Sequence, residues 1–168
     1  MCSAEYQNLW ATSARDMPSS IELNQAEIDA YMLSSPRGIL CVSRENLAPL
    51  ALPMWFGWID GKVRMNTLLT SKKVEPIRRN PLVSFLVESG EAYFKLKALL
   101  VIGKCEIIEN PDGAEKWMRQ LQENKPLYKE LIPPSWPPHL ERHYARPHAA
   151  LVITPASITS WDFDKVRR

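Results

Sequence analysis

The sequence has few cysteines, no long apolar run and almost no excess charge. Its three cysteines, Cys2, Cys41 and Cys105, form no Cys-x-x-Cys or Cys/His pattern, which argues against a disulfide framework and a metal site. No stretch approaches the roughly 20 apolar residues of a membrane helix, and residues 1–20 lack the pattern of an export signal. The net charge of +2 is too small for a nucleic-acid surface. We expect a cytoplasmic protein with no nucleic-acid or membrane partner and no metal.

The composition is that of a folded domain. Hydrophobic residues make up 45% and charged residues 24% of the chain, close to the globular average. A length of 168 residues suits one hydrophobic core. Residues 1–20 are polar and without periodicity, so we predict an N-terminal arm there and a single domain over residues 21–168.

Between residues 38 and 109 the apolar pattern is typical of β-strands. Asp60-Gly61 predicts a type I′ hairpin. Pro49 and Pro53 cannot donate to a strand ladder, so we expect them at an edge, a strand start or a bulge. There is no strand–helix alternation, and the prediction is a mainly β protein with inserted helices, a six-stranded antiparallel split barrel. The predicted strands are 39–42, 47–59, 62–67, 82–87, 93–109 and 149–158.

Three helices and one irregular segment are predicted among these strands. Asn24 and Glu27 have the spacing of a capping box, and the helix behind them places Ile28, Tyr31 and Met32 on one face. Ser71 can cap a helix within 72–80, where Pro76 is unfavourable. Residues 110–112 predict the start of a third helix, with Trp117, Met118 and Leu121 on one side. Residues 126–147 hold six of the fourteen prolines and predict a rigid surface loop.

One segment concentrates hydroxyl and cationic side chains between a predicted strand and a predicted helix. Such groups, with the free N–H groups of a helix start, match the needs of a phosphate. The alternative is a solvated basic face, since the glycine-rich signature of a phosphate loop is missing. The residues alone leave both hypotheses open. The cluster comprises Thr67, Thr70, Ser71, Lys72, Lys73, Arg78 and Arg79.

Aromatic and histidine side chains form two further groups. Trp55, Phe56 and Trp58 predict either a wall for a flat conjugated ring or part of the core or a dimer interface. The histidines in or beside the proline-rich segment are interpreted as ordinary loop residues. No nucleophile–base pattern is present, so no catalytic residue is assigned. The histidines are His139, His143 and His148.

Four motifs, in order, resemble the pyridoxamine 5′-phosphate oxidase-like split-barrel family. Residues 63–81 resemble its cofactor strand and following helix, with Asn66-Thr67, Ser71-Lys72-Lys73 and Asn80-Pro81 at the family's spacing. Residues 101–106 are similar to the family's next long strand. Pro53-Met54-Trp55-Phe56 and residues 160–165 resemble the broader branch that uses FMN or a deazaflavin.

The resemblance implies a split barrel and a homodimer with flavin sites at the subunit interface. It implies that Lys72 and Lys73 hold the phosphate and that Asn66 and Thr67 bond to the phosphate or the ring. The strand at residues 51–56 would run along the ring. The implied cofactor-binding residues are Pro53, Met54, Trp55, Phe56, Asn66, Thr67, Ser71, Lys72, Lys73 and Trp161.

Departures from the family pattern narrow the functional hypothesis. Ala51 replaces a phosphate-binding Arg, Ala98 stands where a ring-binding Gln is expected, and Pro76 replaces a common Asn. The C-terminal Arg-x-His pair of the true oxidase is absent. The resemblance therefore implies an FMN-binding oxidoreductase that passes hydride between a reduced nicotinamide and an unidentified small acceptor. The alternatives are a deazaflavin-dependent reductase, whose acidic tail would need Arg78, Arg79 and Lys97, and a non-catalytic module that binds flavin or haem.

Overall fold

The computed structural model describes residues 21–110, 115–131 and 137–167. The predicted N-terminal arm, Cys2, residues 111 and 112 of the third helix start and the centre of the proline-rich segment lie outside these ranges. The side chains of Met118 and His143 also lie outside the description. None of the described helices combines the length and apolarity needed to cross a membrane.

The described chain is mainly β, and its strands form one antiparallel sheet that curls into a split barrel. The strand order is β2-β1-β5-β6-β7-β4-β3. Side chains of β1, β4 and β5 alternate between buried and less buried positions, so one face of each strand lines the core. The strands are β1 (Arg37–Arg44), β2 (Leu47–Trp55), β3 (Gly57–Ile59), β4 (Lys62–Leu68), β5 (Leu82–Ser89), β6 (Lys97–Asn110) and β7 (His148–Asp162).

The sheet has seven strands because the single predicted strand 47–59 divides at Phe56. Residues before Phe56 pair with β1, and residues after it pair with β4. Strands β2 and β3 therefore end the sheet on opposite sides, although only one residue joins them. The sheet must curl to bring its two ends together, and the seam of the barrel lies at Phe56.

Local sequence signals in the sheet are confirmed. Asp60 and Gly61 have φ values of 55° and 68°, the two positive angles that a type I′ turn requires. Pro49 and Pro53 lie in the edge strand β2, as expected, and the β1–β2 register shifts between Leu47 and Leu50, around Pro49. The two largest differences from the predicted strand bounds are that β6 begins at Lys97, after a 3-10 turn at Tyr93–Lys95, and that β7 continues to Asp162; the other bounds differ by at most two residues.

The five described helices are α1 (Gln25–Ser34), α2 (Val74–Arg79), α3 (Glu115–Asn124), α4 (Tyr128–Leu131) and α5 (Pro138–Tyr144). The capping box of α1 is confirmed, since Glu27 N donates to Asn24 Oδ1 and Asn24 N donates to Glu27 Oε2. The predicted buried face of α1 is also confirmed, and Trp117 and Leu121 of α3 are buried as expected.

The prediction that Ser71 caps α2 was wrong. The helix begins at Val74, and its N-cap is Lys73, which makes no capping hydrogen bond to the helix through its side chain. The Ser71 hydroxyl does not cap the helix, and its Oγ accepts a hydrogen bond from Lys73 Nζ. The later start also explains why Pro76 is tolerated. It lies in the first turn, where its missing N–H would have had no partner within the helix.

The prediction of an irregular surface loop over 126–147 was wrong for the described part. Helices α4 and α5 occupy much of it, and Tyr128 is fully buried. Pro138 is the first residue of α5, where its fixed φ and missing N–H suit a helix start. His139 is exposed on α5, but His148 is a buried residue of β7 and is therefore not a loop histidine.

Candidate functional site

The predicted polar cluster forms where β4 ends and β7 begins. Leu68 lies opposite His148 in the β4–β7 ladder. Beyond this pair, Leu69 N donates to Pro147 O at 3.0 Å. The antiparallel register thus carries residues 145–148, which are far away in sequence, alongside residues 69–71.

Lys73 lies beneath the surface of this cluster. Its side chain is 9% exposed, and its ammonium donates to Thr67 Oγ1 at 2.9 Å and to Ser71 Oγ at 2.8 Å. Burial lowers the pKa of Lys73. The two hydroxyl acceptors offset part of the desolvation cost of the buried cation.

A second cation, Arg146, joins the cluster from the other segment. Its Nη2 donates to Thr70 Oγ1 at 3.3 Å, and both residues are exposed. Sequence reasoning missed Arg146, because the two residues are 76 positions apart. Only the pairing of β4 with β7 reveals this neighbour.

The cluster presents hydrogen-bond donors outward. A hydroxyl that accepts from a cation keeps its own hydrogen free to donate, and this holds for Thr70 beside Arg146 and for Ser71 beside Lys73. Lys72 is exposed next to them. Among the described residues, no carboxylate lies within salt-bridge distance of Lys72 or Arg146. We call Thr70, Ser71, Lys72, Lys73 and Arg146 the donor cluster.

Other members of the predicted set lie elsewhere or are neutralised. Arg78 pairs with Glu109, and Arg79 pairs with Glu75. Asn66 is half-buried in β4 and precedes Thr67, so the two side chains point to opposite faces of the sheet. The structure therefore brings Thr67, Ser71 and Lys73 together but places Asn66 on the other face.

The aromatic residues predicted to line a ring occupy different environments around the seam. Phe56 is fully buried, with its ring edge-on to Phe85 at 4.9 Å. The Trp55 ring is half-buried and stacks on Tyr128 at 5.1 Å. Pro53 is exposed on β2, and Met54 packs against the core. Of this group, Pro53 is the most accessible and Phe56 the least.

Trp161 is separated from the donor cluster within one chain. It lies in β7 opposite Ala98, towards the end of this 15-residue strand, whereas His148 begins the strand beside the donor cluster. The predicted cofactor residues thus form three groups: one at the end of β4, one on β2 and one at the far end of β7.

A segment that the sequence analysis did not select closes the barrel seam. Asn124 Oδ1 accepts from Trp58 N at 3.0 Å, and Asn124 Nδ2 donates to Trp58 O at 2.9 Å, so its amide pairs with the edge strand β3. The Tyr128 hydroxyl lies 3.2 Å from Phe56 N and 3.0 Å from Phe56 O. We call residues 124–128 the seam segment. The nearest sequence signal is the helical spacing of Trp117 and Leu121 just before the segment, and it does not extend to Tyr128, which lies beyond Pro126 on α4.

Lys125 is the charged residue at the centre of the seam segment. Its side chain is 0% exposed, its ammonium donates to Ser35 O at 2.7 Å, and Nζ lies 3.2 Å from the centroid of the Phe56 ring. Burial lowers the pKa of Lys125 to about 7 and raises the pKa of Tyr128 to about 12. The carbonyl and the ring face favour the charged form, but desolvation outweighs them.

Comparison with known proteins identifies the family of this chain. The family model described as pyridoxamine 5′-phosphate oxidase matches residues 25–162. The chain belongs to this family. No curated protein gives a significant match.

Several solved structures are similar to this chain over most of their length. A conserved hypothetical protein from Mycobacterium tuberculosis is 26% identical, with a TM-score of 0.72, covering 91% of this chain and 93% of the other. A protein named F420 reductase is 24% identical, with a TM-score of 0.58 and coverages of 76% and 92%. A protein from Mesorhizobium loti, named as FAD-binding, is 22% identical, with a TM-score of 0.58 and coverages of 83% and 93%.

The donor cluster of this member of the pyridoxamine 5′-phosphate oxidase family has the chemistry of an anion site. Two cation–hydroxyl pairs and an exposed lysine meet at one point, which suits a phosphate that accepts several charge-assisted hydrogen bonds. Position 51, where the resemblance expects an Arg, is an exposed Ala on β2. The donor cluster contains a cation, Arg146, that the resemblance did not include.

Proposed function

We propose that the protein binds FMN through the donor cluster and passes hydride between a reduced nicotinamide and a small acceptor. The observation that carries the proposal is the outward set of donors, in which Thr70 and Ser71 each accept from a cation and keep a hydrogen for the ligand. The similar fold of proteins named F420 reductase and FAD-binding protein supports a flavin as the ligand.

The donor-cluster residues have different roles in this proposal. Lys72, Thr70 and Ser71 contact the phosphate directly. Lys73 acts through the Ser71 hydroxyl, which it orients and polarises from below. The bound flavin supplies the redox chemistry, while the protein binds it, orients it and shapes the electrostatics around it.

We propose that a second copy of the chain completes the ring site. Within one chain, Trp161 and the donor cluster lie towards opposite ends of β7. Large apolar side chains are exposed on several strands, including Leu47 at 64% and Ile108 at 48%. A two-fold homodimer would cover such surface and could bring the partner subunit's Trp161 towards the flavin.

Three ion pairs favour FMN over a deazaflavin with a longer acidic tail. The cations that such a tail would need are already paired: Arg78 with Glu109, Arg79 with Glu75, and Lys97 with Asp162 at 3.4 Å. A non-catalytic flavin or haem module remains the other candidate, because no general acid is assigned.

The test is a titration of the purified protein with FMN and with riboflavin. We expect FMN to bind much more tightly, since only FMN carries the phosphate, and equal binding would contradict the phosphate role of the donor cluster.

The absorption spectrum of the protein as isolated distinguishes flavin, deazaflavin and haem. Sedimentation over a range of concentrations, with and without FMN, tests the dimer, and a stable monomer that binds FMN would overturn the interface site.

A further inference from the structure

Arg146 is exposed, yet its backbone is fixed on both sides. His148 Nδ1 lies 2.6 Å from Arg146 O, and the neighbouring Pro147 O accepts from Leu69 N. His148 itself is buried in the β4–β7 ladder. The ordered backbone thus places Arg146 beside Thr70, whose Oγ1 accepts a hydrogen bond from the guanidinium Nη2 at 3.3 Å.

The charge at the donor cluster suits a dianion better than a monoanion. Lys72 and Arg146 are exposed and without a carboxylate partner among the described residues, and Lys73 lies beneath them. A terminal phosphate monoester carries a charge of about −1.5 to −2 near neutral pH. Each phosphate of a flavin dinucleotide carries one ester and one anhydride linkage, so it has a single charge and one fewer free oxygen than the monoester. A second cation at the site therefore strengthens the binding of a phosphate monoester more than the binding of a dinucleotide phosphate.

We propose, on the basis of the proposed flavin function, that Arg146 is a specificity residue that makes the site select FMN over a dinucleotide flavin. Its forked N–H groups bind the second charge of the terminal phosphate while Thr70, which accepts one of them, donates its own hydrogen to the same group. In this role Arg146, two residues before β7, supplies a cation to the donor cluster, whereas position 51 in β2 is an alanine.

The experiment compares FMN, FAD and riboflavin binding, measured by flavin fluorescence, in wild type, Arg146→Gln and the matched control Arg142→Gln. Arg142 is an exposed arginine on α5, so both variants change the net charge equally. We expect Arg146→Gln to weaken FMN binding about tenfold to a hundredfold, because one charge-assisted hydrogen-bonding group is lost. FAD binding should fall less, riboflavin binding should not change, and Arg142→Gln should resemble wild type.

Arg146→Lys separates charge from geometry. It keeps the positive charge but loses the planar fork, so its preference for FMN over FAD should lie between those of wild type and Arg146→Gln. This variant also decides the question if Arg146→Gln fails to fold. An unchanged FMN-to-FAD preference in the folded variants, or an equal loss of FMN and riboflavin binding, would overturn the role of Arg146. A wild-type protein that binds none of the three flavins would overturn the proposed function itself.

Discussion

Lys73 and Lys125 are both buried lysines, but the regions around them use the charge differently. Lys73 donates to two hydroxyls at the end of β4, one of which, on Ser71, is only half-buried. Lys125 donates to a main-chain carbonyl and lies over the Phe56 ring, inside the seam. The charge of Lys73 thus polarises hydroxyl groups of the donor cluster that can contact a ligand, whereas the charge of Lys125 is enclosed within the seam.

The difference shows that burial alone does not mark a functional lysine. Burial lowers the pKa of both side chains. What distinguishes Lys73 is the set of groups around it, which leaves hydrogens free to face a ligand. The seam segment instead satisfies main-chain groups at Phe56 and Trp58, which the strand pairing leaves open. The donor cluster should therefore control binding, and the seam segment should control stability.

The largest effect is expected when the seam loses its central hydroxyl. Tyr128→Phe removes the hydroxyl that accepts from Phe56 N and donates its single hydrogen to Pro36 O or Phe56 O, and each buried main-chain group left without a partner costs about 1–3 kcal/mol. We expect the free energy of unfolding, measured by urea denaturation, to fall by about 3 kcal/mol. Tyr93→Phe is the control, because Tyr93 is 71% exposed and its loss of a hydroxyl should change little. Equal stability of the two variants would show that the Tyr128 hydroxyl does not stabilise the seam.

A change at the donor cluster should affect binding and leave stability unchanged. Lys72→Ala removes an exposed cation from the proposed phosphate site, so FMN affinity should fall about tenfold to a hundredfold. Riboflavin binding and the free energy of unfolding should stay close to wild type. Lys129→Ala, at an exposed lysine of α4, is the matched control. An FMN titration of Lys72→Ala that superimposes on wild type would identify the cluster as a solvated basic face.

The seam lysine should make stability depend on pH. Burial lowers the pKa of Lys125 to about 7 from its ordinary 10.5, so between these values the unfolded chain binds one more proton than the folded protein. Stability therefore rises with pH, by about 2 kcal/mol from pH 7 to 9 for this one group. Lys73, whose pKa is also lowered, contributes in the same direction.

Lys125→Met tests this dependence, because it keeps most of the side-chain volume and removes the titration. We expect the rise in unfolding free energy between pH 7 and pH 9 to shrink by most of that ~2 kcal/mol, and the variant to be at least as stable as wild type near pH 7. Lys129→Met should keep the wild-type slope, since Lys129 is exposed. A wild-type slope in Lys125→Met would show that the lysine is not buried in solution.

The smallest effect should come from removing the Ser71 hydroxyl, through which Lys73 acts on the phosphate in our proposal. Ser71→Ala removes one neutral donor to the phosphate, worth about 1 kcal/mol, so FMN affinity should fall about fivefold. Ser71→Thr keeps the hydroxyl and should restore most of the affinity. If Ser71→Ala and Ser43→Ala, a change at an exposed serine of β1, bind FMN equally well, Lys73 does not act through Ser71.

Features whose partners lie a few residues apart could be predicted from the amino-acid sequence. The capping box of α1, the Asp60-Gly61 turn and the alternation along β4 follow from local conformational preferences and side-chain period. The motif around Thr67, Ser71 and Lys73 also pointed to residues that are close in sequence and that the structure brings together.

Features that depend on register and packing between distant segments could not be predicted from the sequence and emerge from the fold. Arg146 meets Thr70 across 76 positions, and Tyr128 meets Phe56 across 72. Both contacts follow from how strands pair and where the sheet changes partner, and no local preference encodes either. The same physics explains the error at residues 126–147, where prolines that discourage a helix interior instead start α5, and where burial against the seam stabilises the short helix α4.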